Sequence, residues 1–259
     1  MTDRLAVQVD DGVLHLVLAR GDRGNAIDLA WAEQFDEVVS SLTRQVASGD
    51  VRTVLLRAEG ANFCVGGDLR DFPADENAVT PHLQRMARLV HRGLAGLYEL
   101  PVPVIARLNG AAAGAGVGLV AVADLVVAAR SARFVMAYTA VGLSPDCGTS
   151  WLLPRVIGLR RATDLTLTRR TLSADEAESW GLVSRVVDDA DLDAAVSDLV
   201  ADVSGRSTAA LVASKRLLRA ADADTLPAHL ADEAQQIAHL AAGPDAVQAR
   251  AAFLSRSRA

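Results

Sequence analysis

Hydrophobic and polar positions alternate from near the start of the chain. Leu5-Ala6-Val7-Gln8-Val9 and Val13 to Leu18 flank Asp10-Asp11-Gly12, and two such runs around an Asp-Gly turn predict a β-hairpin. The period then changes: Trp31, Phe35, Val38, Val39 and Leu42 recur at helical spacing behind Asp28, a residue suited to cap a helix. Thr53 to Arg57 reads as a short apolar strand, followed by the loop EGANFCVGGDL with Asp68 as a further cap. Residues 73 to 81 are polar and proline-flanked and predict a mobile surface loop, with a helix from Thr80 to Leu100. Pro103 to Arg107, Leu125 to Ala129 and Phe134 to Met136 read as strands, and Asn109-Gly110 leads into AAAGAGVGLVAVAD between the first two. Strands and helices alternating at this spacing predict an α/β architecture with parallel strand pairs.

Beyond Leu159 the pattern is helical, broken at Gly181-Leu182-Val183, with one more strand over Val183 to Val187. Residues 203 to 256 read as three amphipathic helices, with no fixed-period repeat. A soft boundary near residue 200 divides an α/β core (1–200) from a C-terminal helical region (201–259).

Composition narrows the function classes. Of 259 residues, 51% are hydrophobic and only 4% aromatic, so the core is built from Ala, Val and Leu, with glycine turns and closely spaced backbones. A net charge of −6 and a pI near 5.4 argue against a nucleic-acid binder, whose footprint is basic. Lys215 is the only lysine and lies in a basic helical stretch, which argues against Schiff-base chemistry. Two cysteines, Cys64 and Cys147, in a chain this long imply a reducing compartment rather than a disulfide framework. The acidic N-terminus is unlike a secretory leader. The longest uncharged run, Leu108 to Ala123, is shorter than a membrane span. These features predict a cytoplasmic protein with no membrane partner.

Three familiar site patterns fail. The glycines at 114, 116 and 118 lack the G-x-G-x-x-G spacing, since position 119 is Leu. His15, His82, His91, His229 and His239 show no metal-ligand spacing and read as structural or solvent-facing. No G-x-S-x-G elbow is present. What remains is two glycine-rich turns, each after a strand and each opening a helix: Phe63-Cys64-Val65-Gly66-Gly67-Asp68-Leu69, and Asn109-Gly110 through Gly118. Helix N-termini expose unpaired N–H groups, and small residues let a ligand approach them. Two such turns can aim one N–H each at a single oxygen, or can be no more than tight connections. In a third segment Asp146 stands between Pro145 and Gly148, before an apolar helix starting near Trp151. The residues alone leave it as a helix cap or a reactive acid.

Five ordered segments resemble the enoyl-CoA hydratase/isomerase (crotonase) superfamily: RGDRGNAI (20–27), GANFCVGGDL, NGAAAGAGVGL, VGLSPDCGTSWLLPRVIG and ADEAESWGLVSRVV. They run in order from residue 20 to residue 187, and the similarity covers nearly the whole chain. The resemblance implies a spiral of ββα units with a C-terminal helical trimerisation region, giving homotrimers or dimers of trimers. It implies an acyl-CoA thioester substrate, with no separate cofactor and no metal. The Gly67 and Ala115 N–H groups would stabilise the enolate. Coenzyme A would lie along Cys64, Val65, Gly66, Asp68, Leu69 and Arg70, with Gly114 alongside and Arg20, Arg23 and Arg70 toward its phosphates. Asp68 itself would be a structural cap, and Asp124 a structural acid.

Departures from the family pattern define the chemistry further. Hydratases of this family hold a water between two glutamates, and the matching positions here are Gly118 and Tyr138. Asp146 is where double-bond-shifting members place their acid, and its surroundings are most similar to the isomerases of bacterial phenylacetate breakdown. The resemblance thus implies an enoyl-CoA isomerase in which Asp146 shuttles a proton and Tyr138 lines the acyl pocket. Hydration, another crotonase reaction using Asp146 as nucleophile, and a non-catalytic acyl-CoA-binding paralogue are the alternatives.

Overall fold

The computed structural model describes residues 4–220. The last two of the three helices expected over 203–256 lie outside them. The hairpin forms as expected, with β1 (Leu5–Asp10) antiparallel to β2 (Val13–Leu18). Both turn residues are left-handed, Asp11 at φ 43° and Gly12 at φ 75°, which matches the twist of the paired strands. The helix α1 (Leu29–Ala47) is capped by the Asp28 carboxylate, which accepts the Trp31 N–H at 2.8 Å. Its buried stripe, led by Trp31, Phe35, Val39 and Leu42, follows the predicted period.

The remaining elements repeat one unit. β3 (Thr53–Ala58) runs into an extended stretch at Cys64–Gly67 and then α2 (Glu76–Glu99). β4 (Val104–Leu108) is followed by β5 (Ala111–Ala113) and α3 (Ala115–Ala121). β6 (Leu125–Ala129) is followed by β7 (Arg133–Val135) and α4 (Thr149–Ile157). Each turn places its first strand in one sheet and its second in another. The large sheet has the order β1-β2-β3-β4-β6-β9, parallel beyond the hairpin and closed by β9 (Arg185–Val187). The small sheet has the order β5-β7-β8, where β8 is Leu172–Ser173. Between β8 and β9 lies α6 (Ala174–Trp180), and α5 (Leu159–Thr168) precedes them.

The main core fills the space inside this spiral, around Trp31, Phe35, Phe63 and Phe134. A second cluster lies on the outer face of the large sheet, where Leu55, Ile105 and Val127 meet Leu192, Val196 and Leu199 of α7 (Leu192–Ser204). α7 therefore crosses the boundary expected near residue 200, and Ser204 hydrogen-bonds Thr53 of β3 at 3.1 Å. α8 (Thr208–Ala220) carries Lys215, which donates to the Val102 carbonyl and pairs with Asp124. Asp124 also accepts the Val104 N–H at 2.8 Å, a structural role as expected. No described helix is long and apolar enough to cross a membrane.

Two local expectations are corrected. Residues 76–81 are not loop: Asp75 caps α2 by accepting the Asn77 N–H, and Pro81 is taken into the early part of the helix. The turn after Asp68 opens only a single 3₁₀ turn, Leu69–Asp71, rather than a full helix.

Candidate active site

The first glycine turn is clamped from both sides. On one side Ile27 N–H donates to the Gly66 carbonyl and Asp68 N–H to the Ile27 carbonyl, each at 2.8 Å. On the other, Cys64 pairs with Ala112, with Ala113 N–H donating to the Cys64 carbonyl at 2.8 Å. Successive backbone groups of an extended segment point to opposite sides. Since Gly66 O and Asp68 N face Ile27, the Gly67 N–H points away from it. Open space lies where a Gly67 side chain would stand.

Ala115 is the first residue of α3, where an N–H has no acceptor within its own helix. Gly114 before it adopts φ 51°, ψ −117°, which glycine tolerates and other residues do not. Gly66 at φ 90° lies tight against this turn: a Cβ there would stand 2.9 Å from the Ala113 carbonyl and 3.6 Å from the Ala115 nitrogen. The two turns thus abut and border one cavity of about 170 Å³.

That cavity is mostly apolar, with Phe72, Leu83, Met86, Val90, Val141 and Leu143 among its lining. Asp146 is the only carboxylate among the described residues lining it, and Tyr138 and Cys147 stand beside it. The Tyr138 hydroxyl donates to Asp146 Oδ1 at 2.5 Å. Burial foremost, then the neighbouring Cys147 and Asp146, push the Tyr138 hydroxyl far above its ordinary range, so it stays a donor. Burial, reinforced by Asp146, also pushes the Cys147 thiol well up. Burial holds Cys64 near 12. Neither sulfur is a thiolate at neutral pH, and both cysteines are free.

Asp146 is not the helix cap that its position allowed. α4 starts behind Gly148 with no side-chain cap, and it is the Asp146 carbonyl that serves Thr149, accepting its N–H at 3.0 Å and its hydroxyl at 2.7 Å. The carboxylate is left for Tyr138 and the cavity. Tyr138 lines the pocket as expected and, beyond that, holds the acid. At position 118 a Cβ would stand 2.2 Å from the Cys147 carbonyl, so this place has no room for any side chain.

The arginines separate. Arg20 is only 15% exposed and bridges Asp28 and Asp68 at 3.0 Å each, while donating to the Ala26 carbonyl. It ties the 20–28 loop to the first glycine turn, with both of its carboxylate partners inside the fold. Arg23 and Arg70 are open to solvent, with Arg70 Nε donating to Asp68 Oδ1 at 2.9 Å. Asp68 is buried as the expected cap and accepts the Arg70 N–H. Burial alone would raise its pKa, but the hydrogen bonds from Arg70 and the charges of Arg70 and Arg20 outweigh it and hold the carboxyl below the usual range. Val65 and Leu69 border the cavity mouth and are exposed, whereas Cys64 is buried beneath them.

One residue of the site was not found from spacing. His91 of α2, which reads from sequence as structural or solvent-facing, meets the 146–147 turn. Its Nε2 accepts the Cys147 N–H at 3.2 Å, and the reactive atoms of His91, Asp146 and Cys147 lie within 4.8 Å of one another.

Paired backbone turns and one acid around an apolar pocket, set in a two-sheet ββα spiral, define a crotonase-fold protein. The family model described as enoyl-CoA hydratase/isomerase matches residues 8–259. The chain is 38% identical over 231 residues to the 1,2-epoxyphenylacetyl-CoA isomerase of Escherichia coli K12, covering 89% of this chain and 87% of the relative. It is 30% identical over 253 residues to a 4-chlorobenzoyl coenzyme A dehalogenase of Arthrobacter sp., covering 97% and 91%. The crystal structure of a Mycobacterium smegmatis enoyl-CoA hydratase superposes with a TM-score of 0.89 at 32% identity, covering 98% of this chain and 97% of that one. The chain belongs to the enoyl-CoA hydratase/isomerase (crotonase) superfamily.

Proposed function

We propose that the protein is an enoyl-CoA isomerase that moves a double bond by a 1,3-proton shift. The observation that carries this reading is the single carboxylate. Asp146 is the only acid among the described residues of the cavity, and position 118 cannot hold a second one. Hydration needs one group to activate water and another to protonate the α-carbon. A proton shift needs one group that takes a proton and returns it.

In the 3-enoyl to 2-enoyl direction, Asp146 removes a C2 proton, and the C–H electron pair spreads into a dienolate. The Gly67 and Ala115 N–H groups hold the thioester oxygen as its negative charge grows. Asp146 then delivers the same proton to C4, leaving the double bond between C2 and C3. No co-reactant is consumed, and the acid returns to its starting state. Tyr138, donating to one carboxylate oxygen, leaves the other for the substrate.

Coenzyme A enters as part of the substrate, its pantetheine along residues 63–70 and its phosphates near Arg23 and Arg70. No separate cofactor or metal takes part, and the assembly is a homotrimer or a dimer of trimers, tested by sedimentation against the 27.2 kDa chain. Asp146→Asn is expected to lower 3-enoyl-CoA turnover by about 10²–10⁴-fold while acyl-CoA still binds; unchanged turnover overturns the assignment. The 30% identity to a dehalogenase supports a second reading, with Asp146 as nucleophile. A covalent adduct in intact-protein mass spectrometry would favour it.

A further inference from the structure

We propose that His91 is a positioning residue for Asp146, holding the turn that aims the carboxylate by accepting the Cys147 N–H; this rests on the isomerase reading. Cys147 sits at φ 49°, a left-handed conformation that a residue with a Cβ rarely adopts without outside support. Three ties fix this turn. The Thr149 N–H and hydroxyl hold the Asp146 carbonyl, the Tyr138 hydroxyl holds its carboxylate, and His91 Nε2 takes the Cys147 N–H at 3.2 Å. The first two act on Asp146 itself, and His91 acts on the backbone N–H of the strained residue. It does so from a different element, α2, so the aim of the acid is tied to a helix of the spiral rather than to its own loop.

The bond also fixes the state of the ring. Nε2 faces an N–H donor, so it must offer a lone pair, which places the ring proton of the neutral form on Nδ1. A protonated imidazole would set donor against donor and release the turn. His91 borders a second cavity, of about 490 Å³, which Asp146 also lines from its other side. The titratable groups facing His91 there are Asp146 and the adjoining Cys147 on the loop, with Tyr98 and Glu99 further along α2. Arg92, next to it in sequence, is turned to Asp36 of α1.

Two variants separate this from a structural role. Glutamine places an amide oxygen near the Nε2 position and cannot be protonated; alanine offers no acceptor. His91→Ala is expected to lower kcat for 3-enoyl-CoA by about tenfold, the value of one lost hydrogen bond, with KM within about twofold. His91→Gln is expected to keep most of the wild-type kcat. A second readout is independent of turnover. The chain has two cysteines, so ¹⁵N-cysteine labelling gives two amide signals, and Cys64, which donates to the Ala111 carbonyl, serves as the internal reference. Hydrogen exchange at Cys147 should accelerate in His91→Ala and stay slow in His91→Gln. Unchanged kcat and unchanged Cys147 exchange in His91→Ala would overturn the proposal. So would equal loss of kcat in both variants with the amide still protected, which would make His91 act on the substrate directly. If the wild type fails to isomerise 3-enoyl-CoA, the proposed reaction falls while Cys147 exchange still decides the role of His91.

Discussion

Tyr138 shows how one hydroxyl can hold an acid in place. It donates to Asp146 at 2.5 Å from inside the pocket, and burial keeps it protonated. A hydrogen bond to a charged partner contributes more than a neutral one. Tyr138→Phe is accordingly expected to lower kcat by about ten- to hundredfold with little change in KM, measured by steady-state kinetics on 3-enoyl-CoA. Asp68 gives a prediction in stability rather than rate. Its folded pKa lies below the usual carboxylate value, so its contribution is complete above the unfolded value of about 3.9 and is lost as pH falls through the folded one. The melting temperature of Asp68→Asn should fall below wild type at neutral pH, and the gap should close below about pH 4. A gap that is constant with pH would show that Asp68 acts by shape alone. At this scale the sequence was legible where a residue acts through its own neighbours, as Asp28 and Asp68 do. Arg20 and His91 were not legible, because what decides their roles is a partner far along the chain: Asp68 for Arg20, Cys147 for His91.

The elements divide in the same way. The hairpin and α1 follow from alternation and helical spacing, and the central strands of the large sheet from short apolar runs, since both of their faces are covered. β5 is Ala111–Ala113, three residues without periodicity or β-branching, and its strand character comes from the pairing with β7 on one side and Cys64 on the other. The start of α2 was hidden because Pro81 and a polar first turn read as a loop, though Pro81 stands inside the helix at its sixth residue, where it forgoes one backbone bond, to the Asn77 carbonyl. The glycines of α3 were legible as a feature, but the reason for the one at 118 is tertiary. Its Cα faces the Cys147 carbonyl, the same residue whose N–H is held by His91. Gly118→Ala must therefore push the 146–147 turn, at about 1–3 kcal/mol of overpacking. Both a lower urea midpoint and a lower kcat are expected. Gly118→Glu should fail to create hydratase activity on 2-enoyl-CoA for the same reason, even though it installs a carboxylate. Water addition by that variant would show that the turn can yield.

Across the whole molecule, Asp124 joins parts that are distant in sequence. It stands just ahead of β6, accepts the Val104 N–H from the neighbouring strand, and pairs with Lys215 and Arg219 of α8. The Lys215 side chain is 9% exposed and Asp124 20%, so the pair lies largely out of water and each charge depends on the other. Burial lowers the Lys215 pKa and the Asp124 charge partly restores it. Removing one partner of such a pair strands the other, whereas removing both leaves no stranded lysine charge, although Arg219 and the Val104 N–H still lose an acceptor. Asp124→Ala should cost about 3 kcal/mol in urea unfolding, and the double variant Asp124→Leu with Lys215→Met should recover only the part due to the stranded lysine. The sign with pH follows from Lys215. A folded pKa below the unfolded value of about 10.4 means that the unfolded chain binds more protons between the two, so stability rises with pH there. Without Asp124 the folded value drops further, and the deficit of Asp124→Ala should shrink as pH climbs toward 10. A deficit unchanged from pH 7 to 10 would show that Lys215 is solvated, and that α8 is held to the sheet by its apolar contacts rather than by this ion pair.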